Sequence, residues 1–280
     1  MAEGRNSIII SIFSTSSGNG KTVTAINLAA GLANEGYAVC LVDLDLQFGD
    51  VTNYLKLEPQ YTITDAQVAL ENKDPNFDVR KFLTTYKHSN DKGNSIEFSV
   101  LARPPFIFDA YRIEVPVVEY IINSLKYFDF VVVDLNAAFS ALNLAVLDVS
   151  TIINYLGVVD FLPSVKNFKI GYDTLIRFEY EESKIRLVEN RSNSQKLISG
   201  NDVERLVGEK FFHRLPNDFR SVSQSVREGL PLMFAAPDSA LAKSFAELAE
   251  EYTGKSKTAP PPVIKEEKGF FSKLFGKFFN

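Results

Sequence analysis

The sequence has 280 residues, enough to bury a sizeable core, and its 45% hydrophobic and 23% charged residues are typical of a globular protein. Its single cysteine, Cys40, excludes a disulfide framework and any cysteine-rich metal site, and fits a reducing compartment. No apolar run approaches the roughly 18 residues that a membrane-spanning helix needs.

Charge is divided unevenly along the chain. The formal net charge is −5, from 30 basic and 35 acidic residues. Residues 253–280 carry six lysines and two glutamates, a charge of +4, which leaves −9 on residues 1–252. Because a general nucleic-acid binder needs its basic patch on the folded body, we expect no DNA partner.

The first 45 residues alternate between strand and helix patterns. Residues 7–13 form a β-branched run typical of a strand buried on both faces, and small residues follow at 14–20. Helical periodicity begins at Lys21 and ends near Gly36, and residues 38–43 form a second apolar strand. This order of elements predicts a parallel α/β sheet. Since the first apolar run passes directly into the loop, we interpret it as a strand rather than as a signal peptide.

The same alternation continues to residue 252. Predicted strands cover 95–102, 130–134, 151–159 and 184–189, and predicted helices cover 115–127, 139–148, 165–180, 202–207 and 239–252. Residues 56–94 are more polar, and we expect helices and a loop there, at the edge of the sheet. The predicted fold is therefore α/β, with a mostly parallel central sheet and helices on both faces.

Residues 14–22, Ser-Thr-Ser-Ser-Gly-Asn-Gly-Lys-Thr, have the strand–loop–helix context of a phosphate-binding loop. Small residues let backbone N–H groups turn inward on phosphate oxygens, and the helix N-terminus adds partial positive charge. Lys21 would reach the β- and γ-phosphates, and the Thr22 hydroxyl would ligate Mg²⁺. Thr15 stands where the usual pattern has its first glycine. The alternative interpretation is an ordinary β–α turn with an exposed lysine.

Carboxylates follow two other predicted strands. Asp43 and Asp45 close the second strand, and Asp134 closes the strand at 130–134. Because parallel strands end at the same edge of a sheet, we expect these side chains near the loop, where carboxylates can hold Mg²⁺ through water and orient an attacking water. The alternative is that each is a helix cap or a solvated residue.

The sequence also resembles a known protein family. The segment Leu-Val-Asp-Leu-Asp-Leu-Gln-Phe-Gly-Asp at 41–50 resembles the deviant-Walker ATPases of the MinD/ParA superfamily, and within it the CpaE/TadZ branch associated with pilus assembly. The likeness covers roughly residues 7–252, and its further motifs lie at 100–105, 128–134, 186–191, 215–219 and 228–231.

The resemblance implies an ATP-dependent homodimer, with nucleotide between the subunits and ATP and Mg²⁺ as cofactors. It implies that Lys21 is catalytic and that Asp45 positions the hydrolytic water. It implies metal ligation by Thr22, Asp43 and the Walker B carboxylate Asp134. The nucleotide-binding residues that it implies, with the last five by the adenine, are Ser17, Gly18, Asn19, Gly20, Lys21, Thr22, Val23, Asn190, Arg191, Pro216, Asn217 and Asp218.

The sequence also departs from the superfamily pattern. The signature lysine, which reaches across the dimer to the partner's nucleotide, falls on Ser16, and the proline usual two residues beyond the Walker B aspartate is Asn136. A hydroxyl cannot neutralise developing phosphate charge as an ammonium does. We therefore expect nucleotide binding together with hydrolysis that is slow or stimulated by a partner. The N-terminal receiver-like domain common in the CpaE/TadZ branch is not expected here.

The C-terminal residues form two predicted segments after an ATPase domain at 1–252: a flexible, Pro- and Lys-rich linker at 253–267 and an amphipathic helix at 268–280. The helix places its aromatic residues and a leucine on one half-circle and lysines on the other, a pattern typical of a helix in a membrane interface. MinD also ends in a membrane-targeting amphipathic helix. The alternative is docking on the body or in a partner's groove. The predicted membrane-binding residues are Phe270, Phe271, Lys273, Leu274, Phe275, Lys277, Phe278 and Phe279.

These features favour a cytoplasmic ATPase that associates peripherally with the inner face of the cell membrane. Its expected role is to control the positioning or assembly of an envelope machine such as a pilus or secretion apparatus, through ATP-dependent dimerisation and a protein partner. One alternative is a scaffold that binds ATP without hydrolysing it. A second is a P-loop tyrosine kinase, although no tyrosine follows Tyr252.

Overall fold

The computed structural model describes residues 7–89, 93, 95–194 and 198–255. Within them, eight strands form one sheet in the order β3-β4-β2-β5-β1-β6-β7-β8. The strands are β1 Ile8–Phe13, β2 Val39–Leu44, β3 Thr84–Ser89, β4 Ser95–Leu101, β5 Phe130–Leu135, β6 Ile152–Val158, β7 Ile185–Asn190 and β8 His213–Leu215. Every neighbouring pair is parallel except β3 and β4. The predicted α/β class is confirmed.

Helices connect the strands and cover both faces of the sheet. They are α1 Lys21–Asn34, α2 Val51–Leu55, α3 Ile63–Glu71, α4 Ile107–Ala110, α5 Val115–Ser124, α6 Ala141–Val149, α7 Leu162–Arg177, α8 Gly200–Val207, α9 Phe219–Glu228, α10 Leu232–Ala235 and α11 Ala240–Thr253. Among the described residues, no helix is long and apolar enough to span a bilayer.

The central strands of the sheet are buried on both faces because an apolar layer covers each face. All six residues of β2 and of β5 are buried, as the continuous apolar runs predict. One layer contains side chains of α5, α6 and α7, and the other contains those of α1 and α11. The register places Asp43 of β2 directly beside Asp134 of β5, and Asp134 beside Ile12 of β1. Three strand ends therefore meet at one edge, which we call the carboxyl edge.

The edge segment differs from the sequence-based expectation. We predicted helices and a loop for residues 56–94, and the structure adds β3, which pairs antiparallel with β4. Only Tyr86 of β3 is fully buried, since the strand forms the outer edge of the sheet. A six-residue strand with one buried side chain leaves little periodic signal in the sequence.

The last described helix runs through residue 252, where the ATPase domain was predicted to end. Helix α11 continues through Thr253, one residue beyond the predicted domain, and the Lys255 ammonium forms an ion pair with Glu35 at the end of α1. The rest of the predicted linker and the predicted membrane-binding helix at 268–280 lie outside the described residues.

Candidate functional site

The loop at residues 14–20 connects β1 to α1 at the carboxyl edge. Gly18 and Gly20 have φ values of 72° and 89°, in the left-handed region that favours glycine. Gly20 is also the N-cap of α1 and supplies no side-chain cap, so the first N–H groups of the helix point into the loop. A Cβ at Gly20 would overlap the Asn190 amide. The loop therefore has the backbone geometry of an anion cradle.

Lys21 and Thr22, the first residues of α1, lie next to the end of β5. The Thr22 hydroxyl donates a hydrogen bond of 2.6 Å to Asp134 Oδ2. Lys21 is 9% exposed, and its ammonium favours the ionised form of Asp134. Burial nevertheless raises the pKa of the Asp134 carboxyl to about 7, against the opposing effects of the Thr22 hydroxyl and of Lys21.

Asp43 lies on β2 beside Asp134 and is completely buried. The loop after β2 folds over it: Val51 N–H donates to Asp43 Oδ2 at 3.3 Å, and a Cβ on Gly49 would overlap the carboxylate. Burial, and after it the negative charge of Asp134, raise the pKa of Asp43 well above its usual range. Only a glycine at position 49 lets the backbone lie this close.

Asp45 follows β2 directly and is half-buried. Phe48 N–H donates to its Oδ1 at 3.4 Å, and Gly49 N–H donates to its backbone oxygen at 2.6 Å. Arg103, at the end of β4, donates through Nε to the Gly49 oxygen at 2.6 Å, so it ties the loops after β2 and β4 together. Arg103 lies within the motif at 100–105, but no role was predicted for it.

The predicted adenine-binding residues lie on the other side of the loop. Asn190 Nδ2 donates to the Asn19 oxygen at 2.8 Å, and Arg191 Nη2 donates to the Gly18 oxygen at 3.3 Å. Arg191 has a φ of 56°, uncommon for a residue other than glycine. A cleft there contains all of the predicted adenine-side residues. It is lined by Gly20, Val23, Thr24, Asn190, Arg191, Pro216, Asn217, Asp218, Phe219, Val222, Leu241 and Phe245.

The structure thus places the predicted residues around two adjoining features, the loop with its carboxylates and the cleft. Ser17 is exposed at the outer turn of the loop, and Ser16 is half-buried, with its backbone oxygen accepting from the Ser14 hydroxyl at 2.8 Å. Sequence reasoning missed the cleft residues Leu241 and Phe245, because on α11 they have the ordinary apolar spacing of a core helix.

Known proteins share this arrangement of strands. A family model described as the CobQ/CobB/MinD/ParA nucleotide binding domain matches residues 10–232. The chain belongs to this family. Its loop, Asp43, Asp134, Asn190 and the Pro216–Asp218 segment all fall inside the region that matches the CobQ/CobB/MinD/ParA model.

Individual relatives resemble the chain over nearly its whole length. The septum site-determining protein MinD of Helicobacter pylori is 25% identical over 287 residues, which cover 97% of this chain and 99% of the relative. The solved structure of a ParA family ATPase from Chlorobium tepidum covers 88% of this chain and 98% of its own, with a TM-score of 0.76 and 22% identity. MinD of Pyrococcus horikoshii, solved with Mg-ADP, covers 88% and 95% respectively, with a TM-score of 0.72 and 20% identity. At these identities the two solved structures show a common fold.

The residues present fit a divalent cation and phosphate groups. Asp43 Oδ1 and Asp134 Oδ1 are both buried and have no hydrogen-bond partner among the residues that the structure describes. Buried acceptors without donors are costly unless a ligand satisfies them. Hard oxygen ligands of this kind suit Mg²⁺, which binds one or two carboxylates together with phosphate oxygens. When bound, the cation would neutralise charge on the phosphates.

Proposed function

We propose that the chain binds ATP at the carboxyl edge and that this binding drives the association of two copies into a dimer. The single observation that carries the proposal is that Asp43 and Asp134 each have a buried oxygen without a partner among the described residues, and that Asp134 accepts from the Thr22 hydroxyl at the start of α1. Lys21 would bind the phosphates, Asn190 and the Pro216–Asp218 loop would bind the base, and Asp45 would orient a water. The Mg-ADP bound to the Pyrococcus MinD supports this choice of ligand.

Exposed phenylalanines support dimerisation through the same edge. Phe48, Phe106, Phe108, Phe161 and Phe219 are between 54% and 78% exposed, and each lies in the loop or at the start of the helix that follows β2, β4, β6 or β8. Those strands are parallel, so the segments that carry all five rings begin at the carboxyl edge. Large apolar groups gathered on one face commonly mark a contact surface, and a second copy would cover them across the nucleotide.

Membrane association completes the proposed cycle. The residues at 268–280 would lie in an anionic membrane surface, and a single short anchor gives weak, reversible binding. Pairing two anchors in an ATP-bound dimer raises the avidity, so nucleotide state would control residence on the inner face of the membrane. A protein partner from a pilus or secretion apparatus, as in the CpaE/TadZ branch, would then be positioned by this cycle.

A second candidate function is a scaffold that binds ATP to dimerise without hydrolysing it. Ser16 favours it, because that position provides a hydroxyl where the superfamily has its signature lysine. Phosphate release measured with and without liposomes separates the two candidates. Turnover that liposomes or a partner stimulate supports the ATPase, and ATP-dependent dimerisation without any turnover supports the scaffold.

Size-exclusion chromatography with ATP, ADP or no nucleotide tests the proposal. We expect a dimer with ATP only, lost in Lys21→Ala. Phe106→Ser with Phe108→Ser should also weaken the dimer, whereas Tyr120→Ser, a 52% exposed aromatic on α5, is the matched control. The same elution volume with ATP, with ADP and without nucleotide would contradict ATP-dependent dimerisation.

Co-sedimentation with anionic liposomes tests the membrane step. Deletion of 268–280 should abolish ATP-dependent co-sedimentation, and sedimentation that survives the deletion rejects the anchor.

A further inference from the structure

A chain of polar contacts ties the first turn of the phosphate-binding loop to α7. Thr15 Oγ1 lies 3.0 Å from the Tyr155 hydroxyl on β6 and 3.1 Å from the backbone oxygen of Asn167 on α7. The Tyr155 hydroxyl in turn lies 3.0 Å from the backbone oxygen of Phe168. Tyr155 is fully buried, and its ring stacks on Phe168 with 4.7 Å between centroids.

Two hydroxyl protons serve these three contacts. Tyr155 donates either to Thr15 or to the Phe168 oxygen, and Thr15 donates either to the Asn167 oxygen or to Tyr155. In each arrangement that uses both protons in the chain, the Thr15 hydroxyl is connected to α7 directly or through Tyr155. The connection therefore does not depend on which hydroxyl is the donor.

The Thr15 methyl group, like its hydroxyl, lies against α7. A Cβ on Gly171 of α7 would overlap the Thr15 methyl carbon and the Tyr155 hydroxyl, so the helix packs closely onto this pair. A Cβ on Gly157 of β6 would likewise overlap the Phe168 ring. The two glycines bring α7 close enough for its backbone oxygens to accept from Thr15 and Tyr155.

We propose that Thr15 and Tyr155 are positioning residues for the phosphate-binding loop. Thr15 occupies the place of the usual first glycine, and its fixed side chain orders the loop before a ligand arrives. An ordered loop loses less conformational entropy on binding, so the pair increases the affinity for nucleotide phosphates. This inference rests on the proposed nucleotide-binding function, and neither residue lines the cleft.

Calorimetric titration of the full chain with ATP and Mg²⁺ tests the inference. Thr15→Val keeps the shape and removes the hydroxyl, while Tyr155 can still donate to the Phe168 oxygen; we expect a Kd about fivefold weaker. Tyr155→Phe leaves Thr15 hydrogen-bonded to the Asn167 oxygen, so this variant should bind ATP only about twofold more weakly than the native chain. The double variant should match Thr15→Val alone, because both residues act through one chain of contacts. Thr15→Ser should restore the affinity to within about twofold of the native chain.

Thermal unfolding without nucleotide separates positioning from general stability. Tyr180→Phe is the matched control, since that buried tyrosine donates to Asp148 Oδ1 at 2.7 Å, far from the loop. It should lower the unfolding temperature without changing the Kd. The inference is overturned if Thr15→Val binds ATP as the native chain does, or if Thr15→Ser binds as weakly as Thr15→Val. A native chain that binds no ATP, or as weakly as Lys21→Ala, would instead reject the proposed function itself.

Discussion

Carboxylates at the two ends of the same sheet have opposite surroundings. At the amino end, Asp129 Oδ2 accepts from Ala38 N–H at 2.8 Å, and Asp148 Oδ1 accepts from the Tyr180 hydroxyl at 2.7 Å. At the carboxyl edge, Asp43 and Asp134 each retain a buried oxygen without a partner in the described part of the chain. The first pair holds elements of the fold together, whereas the second pair has acceptor capacity that the described residues do not use.

The comparison separates acidic residues that hold the fold together from acidic residues that reduce its stability. Asp43 and Asp134 are buried side by side, which costs stability through desolvation and mutual repulsion. Groups that reduce stability in this way concentrate at binding and catalytic sites. The proposed binding of a cation and phosphates would offset the stability that the carboxyl edge loses.

Lysines provide the largest expected contrast between the two ends. Lys21→Ala at the carboxyl edge should weaken ATP binding more than about 100-fold, because it removes the cation nearest the proposed phosphates, and should leave the fold intact. Lys184→Ala at the amino end removes the ammonium that donates to the backbone oxygen of Asp148 at 3.0 Å. It should lower the unfolding temperature and leave ATP affinity unchanged. Equal ATP affinities in the two variants would contradict the expectation that only the lysine at the carboxyl edge binds ATP.

Aspartate substitutions sharpen the same comparison through stability. Asp43→Asn replaces a carboxyl whose charged form is disfavoured by burial and by Asp134, so the nucleotide-free chain should become more stable by about 1 kcal/mol. Asp129→Ala removes the acceptor of Ala38 N–H and should destabilise by about 1 kcal/mol. Urea denaturation measures both values. A loss of stability in both variants would show that Asp43 is as structural as Asp129.

The smallest expected effect is the pH dependence at the amino end. Burial lowers the pKa of Lys184 to about 8, against the opposing charges of Asp148 and Glu181. Between about pH 8 and its ordinary pKa near 10.5, the unfolded chain still holds a proton that the native chain has released. Stability contributed by this group should therefore rise by about 1 kcal/mol from pH 8 to 9. Denaturation midpoints of the native chain and Lys184→Met check the sign, and identical pH profiles would contradict it.

The sequence predicted the centre of the fold well because its elements are strongly periodic and buried. The runs at β1, β2 and β5 are continuous apolar segments, and α1 begins at Lys21 as predicted. The parallel order of the strands was sufficient to predict that Asp43 and Asp134 meet, since both close strands at one edge. The roles assigned to these residues remain predictions.

Long-range packing was not predictable from the sequence. The cleft takes Leu241 and Phe245 from α11, whose spacing is that of any core helix. The contact between Thr15 and Tyr155 joins residues separated by 140 positions. The four-residue helix α10 is held by a tertiary contact, the bond of 2.7 Å from Leu232 N–H to Asn27 Oδ1. None of these contacts has a local signature.

The magnesium dependence of ATP binding tests the central claim, that the partnerless oxygens of Asp43 and Asp134 serve a cation and phosphates. Calorimetric titration with ATP, in the presence and absence of Mg²⁺, compares the native chain with Asp43→Asn and Asp134→Asn. Mg²⁺ should tighten binding by at least about tenfold in the native chain, and by far less in either variant. Equal binding with and without Mg²⁺ in the native chain, or full Mg²⁺ dependence in both variants, would contradict the claim.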